Sequence, residues 1–184
     1  MIRLLDVMFS ALALLLGSPL LLVLCLLGWW DTGLPLFRQT RVGRGKELFT
    51  LIKLRTMNPG TASVATHLAS TSDVTGLGHF LRRTKLDELP QLWNVLRGDM
   101  SLVGPRPCLP GQVELINERA RRGVFDARPG ITGLAQVKGI DMSDPVRLAK
   151  VDEAMVRHLT VKSYFKLLIL TIMGKGAGDR VGWS

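Results

Sequence analysis

Two adjacent carboxylates, Asp87 and Glu88, are the residues best suited by type and spacing to carry out chemistry. A carboxylate pair can hold Mg²⁺, which takes one or two carboxylates together with phosphate oxygens. One member could instead attack phosphorus, because aspartate forms aspartyl-phosphates in other enzymes. The alternative is structural: the pair precedes Leu89 and Pro90 at the start of a predicted helix, where an acid can cap the helix and proline fits the first turn. The pair alone leaves both interpretations open.

Basic residues on either side of this pair in the sequence could bind phosphate groups. An arginine held in a rigid loop is well suited to bidentate phosphate binding, and Arg106 lies between two prolines while Arg128 precedes one. A charge that faces solvent or the membrane surface is the simpler alternative for any single arginine, and we prefer it for Arg119, Arg121 and Arg122. The candidate phosphate-binding residues are Lys53, Arg55, Arg82, Arg83, Lys85, Arg106 and Arg128.

The N-terminal segment carries no charge from Val7 to Trp30, a run of 24 residues. A helix needs roughly 20 such residues to cross a bilayer. Ser18-Pro19 lies in the middle of the run, and because proline removes a backbone hydrogen bond we expect a kink or break there. Basic residues flank both ends, which the positive-inside tendency places in the cytoplasm. A kinked single span and a helix that enters and leaves on the same face both remain open.

The body of the chain, residues 37–184, is predicted to be one domain that is mainly α-helical with a small β-hairpin. The hairpin joins Phe37–Val42 to Leu48–Met57, because apolar and polar residues alternate on both sides of a glycine-containing turn. Asn58–Asp73 is rich in Ser, Thr and Ala and predicts a surface loop or lid. The elements that follow are predicted to be helices and the loops between them.

Three helices are predicted in this part of the body. The first follows the carboxylates and has an apolar stripe that includes Trp93, which we assign to the core. The second follows Pro110 and is amphipathic. The third, Pro145–Met173, turns strongly apolar from Leu159. Its last part, Tyr164–Met173, is too short to span a membrane and is expected to be buried or to lie in the membrane interface. The predicted apolar faces of the first two are Leu89, Leu92, Trp93 and Leu96, and Val113, Ile116 and Ala120.

Composition narrows the class of protein. The chain has 184 residues and a formal net charge of +9, and almost all of its charged residues follow residue 36. An apolar end joined to a basic body excludes a disordered chain, a collagen-like repeat and a multi-span transporter, and it favours a membrane-attached domain with anionic partners. Two cysteines cannot form a disulfide framework, and three scattered histidines argue against a zinc site. Nucleic-acid binding is disfavoured because aromatic residues make up 6% and no recognised motif is present.

Four sequence blocks resemble, in the same order, the bacterial sugar transferases, which are monotopic polyprenol-phosphate phosphoglycosyl transferases that begin glycoconjugate assembly. The apolar run with Ser18-Pro19 is also similar to that family, in which it is a re-entrant membrane helix, so the resemblance favours re-entry with a break at these two residues. The length resembles a minimal catalytic form without additional N-terminal membrane helices. The blocks are Lys53–Met57, Leu86–Val95, Gly98–Pro107 and Arg128–Val137.

The resemblance implies transfer of a phospho-sugar from a UDP-sugar to polyprenol (undecaprenyl) phosphate, with release of UMP. Asp87 would be the nucleophile that forms a covalent aspartyl phospho-sugar intermediate, and Glu88 would hold the Mg²⁺ cofactor. Pro107 would shape its loop. The phosphate-binding residues implied by the resemblance are Lys53, Arg82, Arg106 and Arg128.

The resemblance also implies an organisation: a re-entrant membrane helix over residues 1–36, and a compact catalytic domain over 37–184 with interfacial amphipathic helices, at the cytoplasmic face of the bacterial inner membrane. The implied partners are the UDP-sugar, polyprenol phosphate and membrane lipids, with a second copy of the chain as a possible partner and no nucleic acid. Beyond Asp141 the match thins. Ala154 and Met155 stand where tyrosines are usual, and Tyr164 stands where an aspartate is usual, which affects the C-terminal packing and the sugar pocket.

Two other functions compete with this one. A membrane-anchored Mg²⁺-dependent phosphodiesterase or pyrophosphatase would place water where the lipid phosphate should attack. A basic membrane adaptor without catalysis would allow Asp87 to be replaced by Asn without consequence. Neither accounts for four ordered blocks.

Overall fold

The computed structural model describes residues 1–61 and 73–176. Within them the chain is mainly helical with two small sheets, which confirms the predicted fold class at this level. The predicted loop or lid Asn58–Asp73 lies largely outside the described residues. The helices are α1 (Ile2–Thr32), α2 (Gly76–Thr84), α3 (Gln91–Arg97), α4 (Val113–Arg121), α5 (Leu134–Val137), α6 (Pro145–Arg157) and α7 (Val161–Ile172); the strands are β1 (Leu36–Val42), β2 (Leu48–Leu54), β3 (Ser101–Val103) and β4 (Gly130–Thr132).

Helix α1 is long and apolar enough to cross a membrane, judged by its 31 residues and by a mean hydropathy of 2.5 over an 18-residue window within it. It continues through Ser18 and Pro19, so these residues do not interrupt the helix as a break would. The Ser18 hydroxyl donates to the Leu15 carbonyl at 2.9 Å, which is the carbonyl that Pro19 cannot serve because it lacks an N–H. A kink without loss of helical structure remains a prediction.

The predicted hairpin is confirmed. Strands β1 and β2 pair antiparallel, with Leu36 opposite Leu54 and Val42 opposite Leu48. Gly45 lies in the turn at a φ of 65°, a left-handed conformation that favours glycine. Strand β2 ends earlier than predicted, and Met57 forms an isolated bridge instead.

Trp93 was predicted to be core, and this is wrong, since 52% of its surface is exposed. Helix α3 turns a different face inward because Asn94, which is buried, anchors it to β2. The Asn94 side chain accepts a hydrogen bond from the Ile52 N–H at 3.1 Å and donates one to the Thr50 carbonyl at 2.8 Å. This anchor rotates the neighbouring Trp93 outward.

The predicted face of α4 is also rotated. Leu115 is buried, whereas Val113 is 61% exposed. Helix α4 packs against α6 through a face that includes Leu115 and Arg119; of the apolar residues chosen from the sequence, Ile116 packs against this core.

The predicted third helix is two helices. Helix α6 ends at Arg157, and Thr160 is the N-cap of α7 in a capping box. The Thr160 hydroxyl accepts from the Ser163 N–H, and the Ser163 hydroxyl accepts from the Thr160 N–H. Helix α7 buries Tyr164 and Leu167 while Ile169 and Ile172 stay exposed, so one apolar face packs and the other is open.

A second sheet was not predicted. Strands β3 and β4 run parallel, with Ser101 opposite Gly130 and Val103 opposite Thr132. They hold together the loops that carry Arg106 and Arg128, and they lie in a core that also contains Val95, Met100 and Tyr164.

Candidate active site

The two carboxylates lie in a 3-10 turn, Leu86–Glu88, between α2 and α3. Lys85 ends α2 in a left-handed conformation (φ 59°), and the turn that follows packs against α2 and β2. Both carboxylates are buried, with Asp87 2% and Glu88 9% exposed. The N-cap of α3 is Pro90, and no side chain caps that helix, so the structural interpretation of Asp87 as an N-cap is wrong. Two carboxylates held away from water are costly unless cations or hydrogen bonds compensate them.

Arg106 supplies one such cation. Its Nη1 lies 3.3 Å from Glu88 Oε1, with the two side chains 26% and 11% exposed. The structure therefore brings together two of the predicted site residues, which are 18 positions apart in the chain.

The Arg106 loop and the Arg128 loop are joined through their backbones. The Gly104 N–H donates to the Thr132 carbonyl at 2.8 Å, and the Gly130 N–H donates to the Pro105 carbonyl at 2.9 Å. A Cβ at Gly104 would collide with the Arg128 carbonyl, so the close approach requires glycine.

The Arg128 side chain reaches a different part of α3. Its Nε donates to the Gly98 carbonyl at 2.9 Å, and Gly98 caps the C-terminal end of that helix, whereas Asp87 and Glu88 precede its N-terminal end. A seven-residue helix is about 10 Å long. The predicted role of Arg128 thus depends on a substrate that extends along α3.

Lys53 and Arg82 lie on elements next to the carboxylate turn. Lys53 is buried in β2, which packs against the turn, and its Nζ lies 5.7 Å from the centre of the Phe37 ring. The Arg82 Nε donates to the Thr56 hydroxyl at 2.9 Å, which ties the end of α2 to the chain just after β2. Lys53 lies near the end of β2 and Arg82 in the last turn of α2, so both side chains start from elements that adjoin the carboxylate turn.

Pro107 lies where its loop meets the hairpin. Its carbonyl accepts a hydrogen bond from Arg41 Nη1 at 3.1 Å, and the next residue, Cys108, accepts one from the Val42 N–H at 3.0 Å. The loop is thereby attached to β1 immediately after Arg106.

A buried ion pair that sequence reasoning missed lies behind this loop. Arg119, which we assigned to the surface, is 2% exposed, and its Nη2 lies 2.7 Å from Asp152 Oδ2. Burial raises the pKa of the Asp152 carboxyl, while the Arg119 guanidinium lowers it by a smaller amount. The available signal was spacing, because Arg119 follows Leu115 by four positions and so shares its helix face.

The carboxylates of Asp87 and Glu88 fit a magnesium ion that takes its other ligands from water and substrate phosphates. Across residues 1–61 and 73–176, no group of three or more His, Cys, Asp or Glu side chains could hold a metal. The carboxylate pair provides acceptor oxygens in one turn, and a carboxylate that accepts from an arginine keeps further lone pairs. Mg²⁺ commonly binds through one or two carboxylates plus water and substrate phosphates, so this pair matches its needs.

Fold and site together define a mainly helical domain with a long apolar N-terminal helix, in which a buried carboxylate pair lies beside Arg106. The profile of the bacterial sugar transferases matches residues 1–175, and the chain belongs to this family. The family assignment made from the sequence blocks is confirmed.

Several curated proteins are similar over most of this chain. A UDP-glucose:undecaprenyl-phosphate glucose-1-phosphate transferase from Caulobacter vibrioides is 48% identical over 75% of the chain and 54% of its own length. The undecaprenyl-phosphate galactose phosphotransferase of Salmonella typhimurium is 33% identical over 92% of the chain and 39% of its own length. The exopolysaccharide production protein ExoY of Rhizobium meliloti is 38% identical over 78% of the chain and 72% of its own length. The chain thus spans about half or less of the first two relatives.

Proposed function

We propose that the protein transfers a phospho-sugar from a UDP-sugar to polyprenol phosphate through Asp87. The observation that carries the proposal is the burial of Asp87 and Glu88 in one turn, with Arg106 paired to Glu88, in a chain of this family. The names of the Caulobacter and Salmonella relatives, which specify sugar-phosphate transfer to undecaprenyl phosphate, support the substrate classes.

The reaction has two displacements at one phosphorus atom. First, a carboxylate oxygen of Asp87 attacks the phosphorus that carries the sugar, and the bond from that phosphorus to the bridging diphosphate oxygen breaks. UMP leaves with the electron pair, and the sugar phosphate stays on Asp87 as an acyl phosphate. Second, an oxygen of polyprenol phosphate attacks the same phosphorus, and the bond to Asp87 breaks. Both nucleophiles are anions, so neither step needs a proton to be removed.

The surrounding cations answer the main physical difficulty of this reaction, which is that an anion attacks an anion. Arg106 and Arg128, held on joined loops, would bind phosphate oxygens where charge develops. Lys53 and Arg82, next to the carboxylate turn, would contribute further positive charge. Glu88 would hold Mg²⁺, which supplies electrostatic stabilisation of the diphosphate when it is bound.

A re-entrant α1 would place this site at the cytoplasmic face of the bacterial inner membrane. Near its N-terminus, the Arg3 guanidinium donates to the Val95 carbonyl at 2.7 Å and to the Leu96 carbonyl at 3.1 Å, at the end of α3. Further along, Leu24 packs with Leu54 and Leu81 of the same domain. A straight helix of this length is about 46 Å long. If it crossed the bilayer, one end would leave the domain, so contacts at both ends support a shared cytoplasmic face.

The test is the fate of Asp87. Asp87→Asn keeps the size of the side chain but removes the nucleophilic anion, so transfer should fall by orders of magnitude while the fold is retained. Asp126→Asn is the matched control, because Asp126 is an exposed carboxylate in another 3-10 turn and should have no effect. Activity would be followed as UMP release from a panel of UDP-sugars with polyprenol phosphate present.

The covalent step has its own measurement. Incubation with a UDP-sugar and Mg²⁺ but without lipid should release about one equivalent of UMP and leave a phospho-sugar on Asp87. Intact-mass spectrometry after a rapid quench, with peptide mapping, would locate it. If no adduct forms while product still appears with lipid, direct transfer in a ternary complex replaces the covalent route. Full activity of Asp87→Asn would contradict the proposal as a whole.

A further inference from the structure

The buried arginine Arg119 uses every nitrogen of its guanidinium. Nε and Nη2 donate to the same carboxylate oxygen of Asp152, at 3.0 and 2.7 Å, which joins α4 to α6. The remaining nitrogen, Nη1, donates to the Arg106 carbonyl at 2.8 Å. The ion pair therefore has a second function: it presents a fixed donor to the backbone of the Arg106 loop.

A second buried arginine binds the adjacent carbonyl. Arg41 is 6% exposed and donates from Nη1 to the Pro107 carbonyl at 3.1 Å. The loop has prolines at 105 and 107, which lack backbone N–H groups, so it cannot fix itself through its own ladder of hydrogen bonds. Two guanidinium groups, one on α4 and one on β1, bind consecutive carbonyls instead.

The residue held in this way is the one that contacts Glu88. The Arg106 carbonyl is bound to Arg119, and the Arg106 side chain lies 3.3 Å from the Glu88 carboxylate. A displacement of the loop backbone would therefore move a guanidinium away from the carboxylate turn, and displacements of about 1 Å in an active site can cost up to roughly a hundredfold in rate.

We propose that Arg119, fixed by Asp152, acts together with Arg41 as a positioning clamp that holds the Arg106 loop in register with Glu88. This inference rests on the proposed function, in which Arg106 and Glu88 belong to the site. Arg119 and Asp152 are buried and meet the loop at the Arg106 carbonyl, so the clamp acts by positioning Arg106.

Arg119→Lys is the principal test. Lysine keeps the positive charge beside Asp152, but its single nitrogen lacks the planar fork that serves the carboxylate and the loop carbonyl together. Arg121→Lys is the matched control, because Arg121 lies on the same helix with its side chain 73% exposed and pairs only locally with Glu118. A second variant combines Arg119→Met with Asp152→Leu, which removes both buried charges, keeps apolar packing and deletes the loop contact.

Cys108 provides a measurement of loop opening that is independent of activity. It follows the clamped residues directly and is fully buried. Burial raises the pKa of its thiol, and Arg119 and Arg41 lower that pKa by smaller amounts, so the loss of Arg119 does not by itself make the thiol more reactive. In a Cys25→Ser background it is the single cysteine of the chain. Its alkylation rate then reports how often the loop opens.

With the clamp loosened in Arg119→Lys, Cys108 should be alkylated at least about tenfold faster. The kcat for UMP release should fall roughly tenfold to a hundredfold, with a smaller change in KM because Arg106 keeps its charge. The double variant should behave in the same way, and Arg121→Lys should match the unaltered protein. A purely structural role would lower the yield or the melting temperature but leave the kcat of the folded fraction unchanged.

Two results would overturn the clamp: an unaltered alkylation rate in both Arg119 variants, or faster alkylation with unchanged kcat. Failure of the proposed function is separately visible. If Arg106→Ala and Glu88→Gln both retain full activity, the proposed site is wrong and the clamp loses its catalytic role, whereas the alkylation rates still decide whether the clamp holds the loop.

Discussion

At the scale of single residues, the Glu88 carboxylate takes part in two interactions, one in the structure and one in the proposed function. It pairs with Arg106 at 3.3 Å, and in the proposed function it also binds Mg²⁺. Both interactions need the ionised form, because a neutral side chain would provide a weaker ligand and a weaker partner for the guanidinium. Because Glu88 is buried, loss of its negative charge would leave the positive charge of Arg106 without its partner inside the domain, which is costly.

We therefore predict that Glu88→Gln, which keeps the shape and removes the charge, raises the Mg²⁺ concentration for half-maximal activity or abolishes turnover. Glu114→Gln is the matched control, because it removes an exposed carboxylate in the first turn of α4 and should leave the Mg²⁺ dependence unaltered. The measurement is UMP release against Mg²⁺ concentration. Exhaustive treatment with EDTA should remove activity, and its persistence would exclude the metal requirement.

The residue scale also shows what a single sequence can reveal about a site. Asp87, Glu88 and Arg106 stand out because all three fall within the ordered sequence blocks that resemble the family, and because an arginine between two prolines is suited to phosphate binding. Arg119 does not, because its partner Asp152 lies 33 positions away. Its spacing of four from Leu115 places it on the inward helix face, but the sequence does not show that a charge there is paired and buried rather than exposed like Arg121. Whether such an arginine is buried depends on a partner far away in the sequence, and that pairing cannot be seen in the composition or in the local pattern of residues.

At the scale of elements, α1 has two features with different implications for its topology: a continuous helical structure, and contacts with the domain from both of its ends. Its helical structure is continuous, because the Ser18 hydroxyl serves the carbonyl left without a partner by Pro19. Its two ends nevertheless contact the same domain. A proline-weakened point in the middle of the helix would let it bend within the membrane and return.

We predict that both ends of α1 lie in the cytoplasm. With Cys25 and Cys108 replaced, a cysteine at the exposed position Leu4 should resist a membrane-impermeant maleimide in intact cells. Asp31→Cys at the other end should also resist it, and permeabilised cells should label both. Replacing both Ser18 and Pro19 by Ala supplies the backbone N–H that proline lacks, which removes the weak point and should favour a straight span that exposes Leu4→Cys. Labelling at position 4 in the otherwise unaltered helix would indicate a single crossing.

Elements differ in how far the sequence predicts them. The hairpin was predictable because its alternation and its turn are local. Strands β3 and β4 were not, since each has three residues, both are largely buried, and they pair in parallel across a long stretch of chain. Trp93 was misplaced for a related reason: the burial of Asn94 depends on β2, and a helical stripe read in isolation ignores that anchor.

At the scale of the whole molecule, the apolar helix and the basic domain are joined by a buried polar contact. The Asp6 carboxylate, near the start of α1, accepts hydrogen bonds from the Ser101 hydroxyl, the Leu102 N–H and the Tyr164 hydroxyl, all at 2.9 to 3.0 Å. These donors lie on β3 and α7, so one side chain connects three elements. Burial and the adjacent Asp6 raise the pKa of the Tyr164 phenol, which keeps it a donor throughout the working pH range.

We predict that α1 and the domain unfold as one unit through this contact. Asp6→Ala leaves three buried donors without an acceptor and should cost roughly 2–5 kcal/mol, seen as a fall of roughly 5–15 °C in the melting temperature in detergent. Asp31→Ala, at the exposed end of the same helix, should change little. Tyr164→Phe removes one donor and should cost about 1 kcal/mol alone but much less in the Asp6→Ala background, because the two side chains share one interaction. Strictly additive losses in that double-mutant cycle, or an unaltered melting temperature for Asp6→Ala, would show that the helix is held to the domain by apolar packing instead.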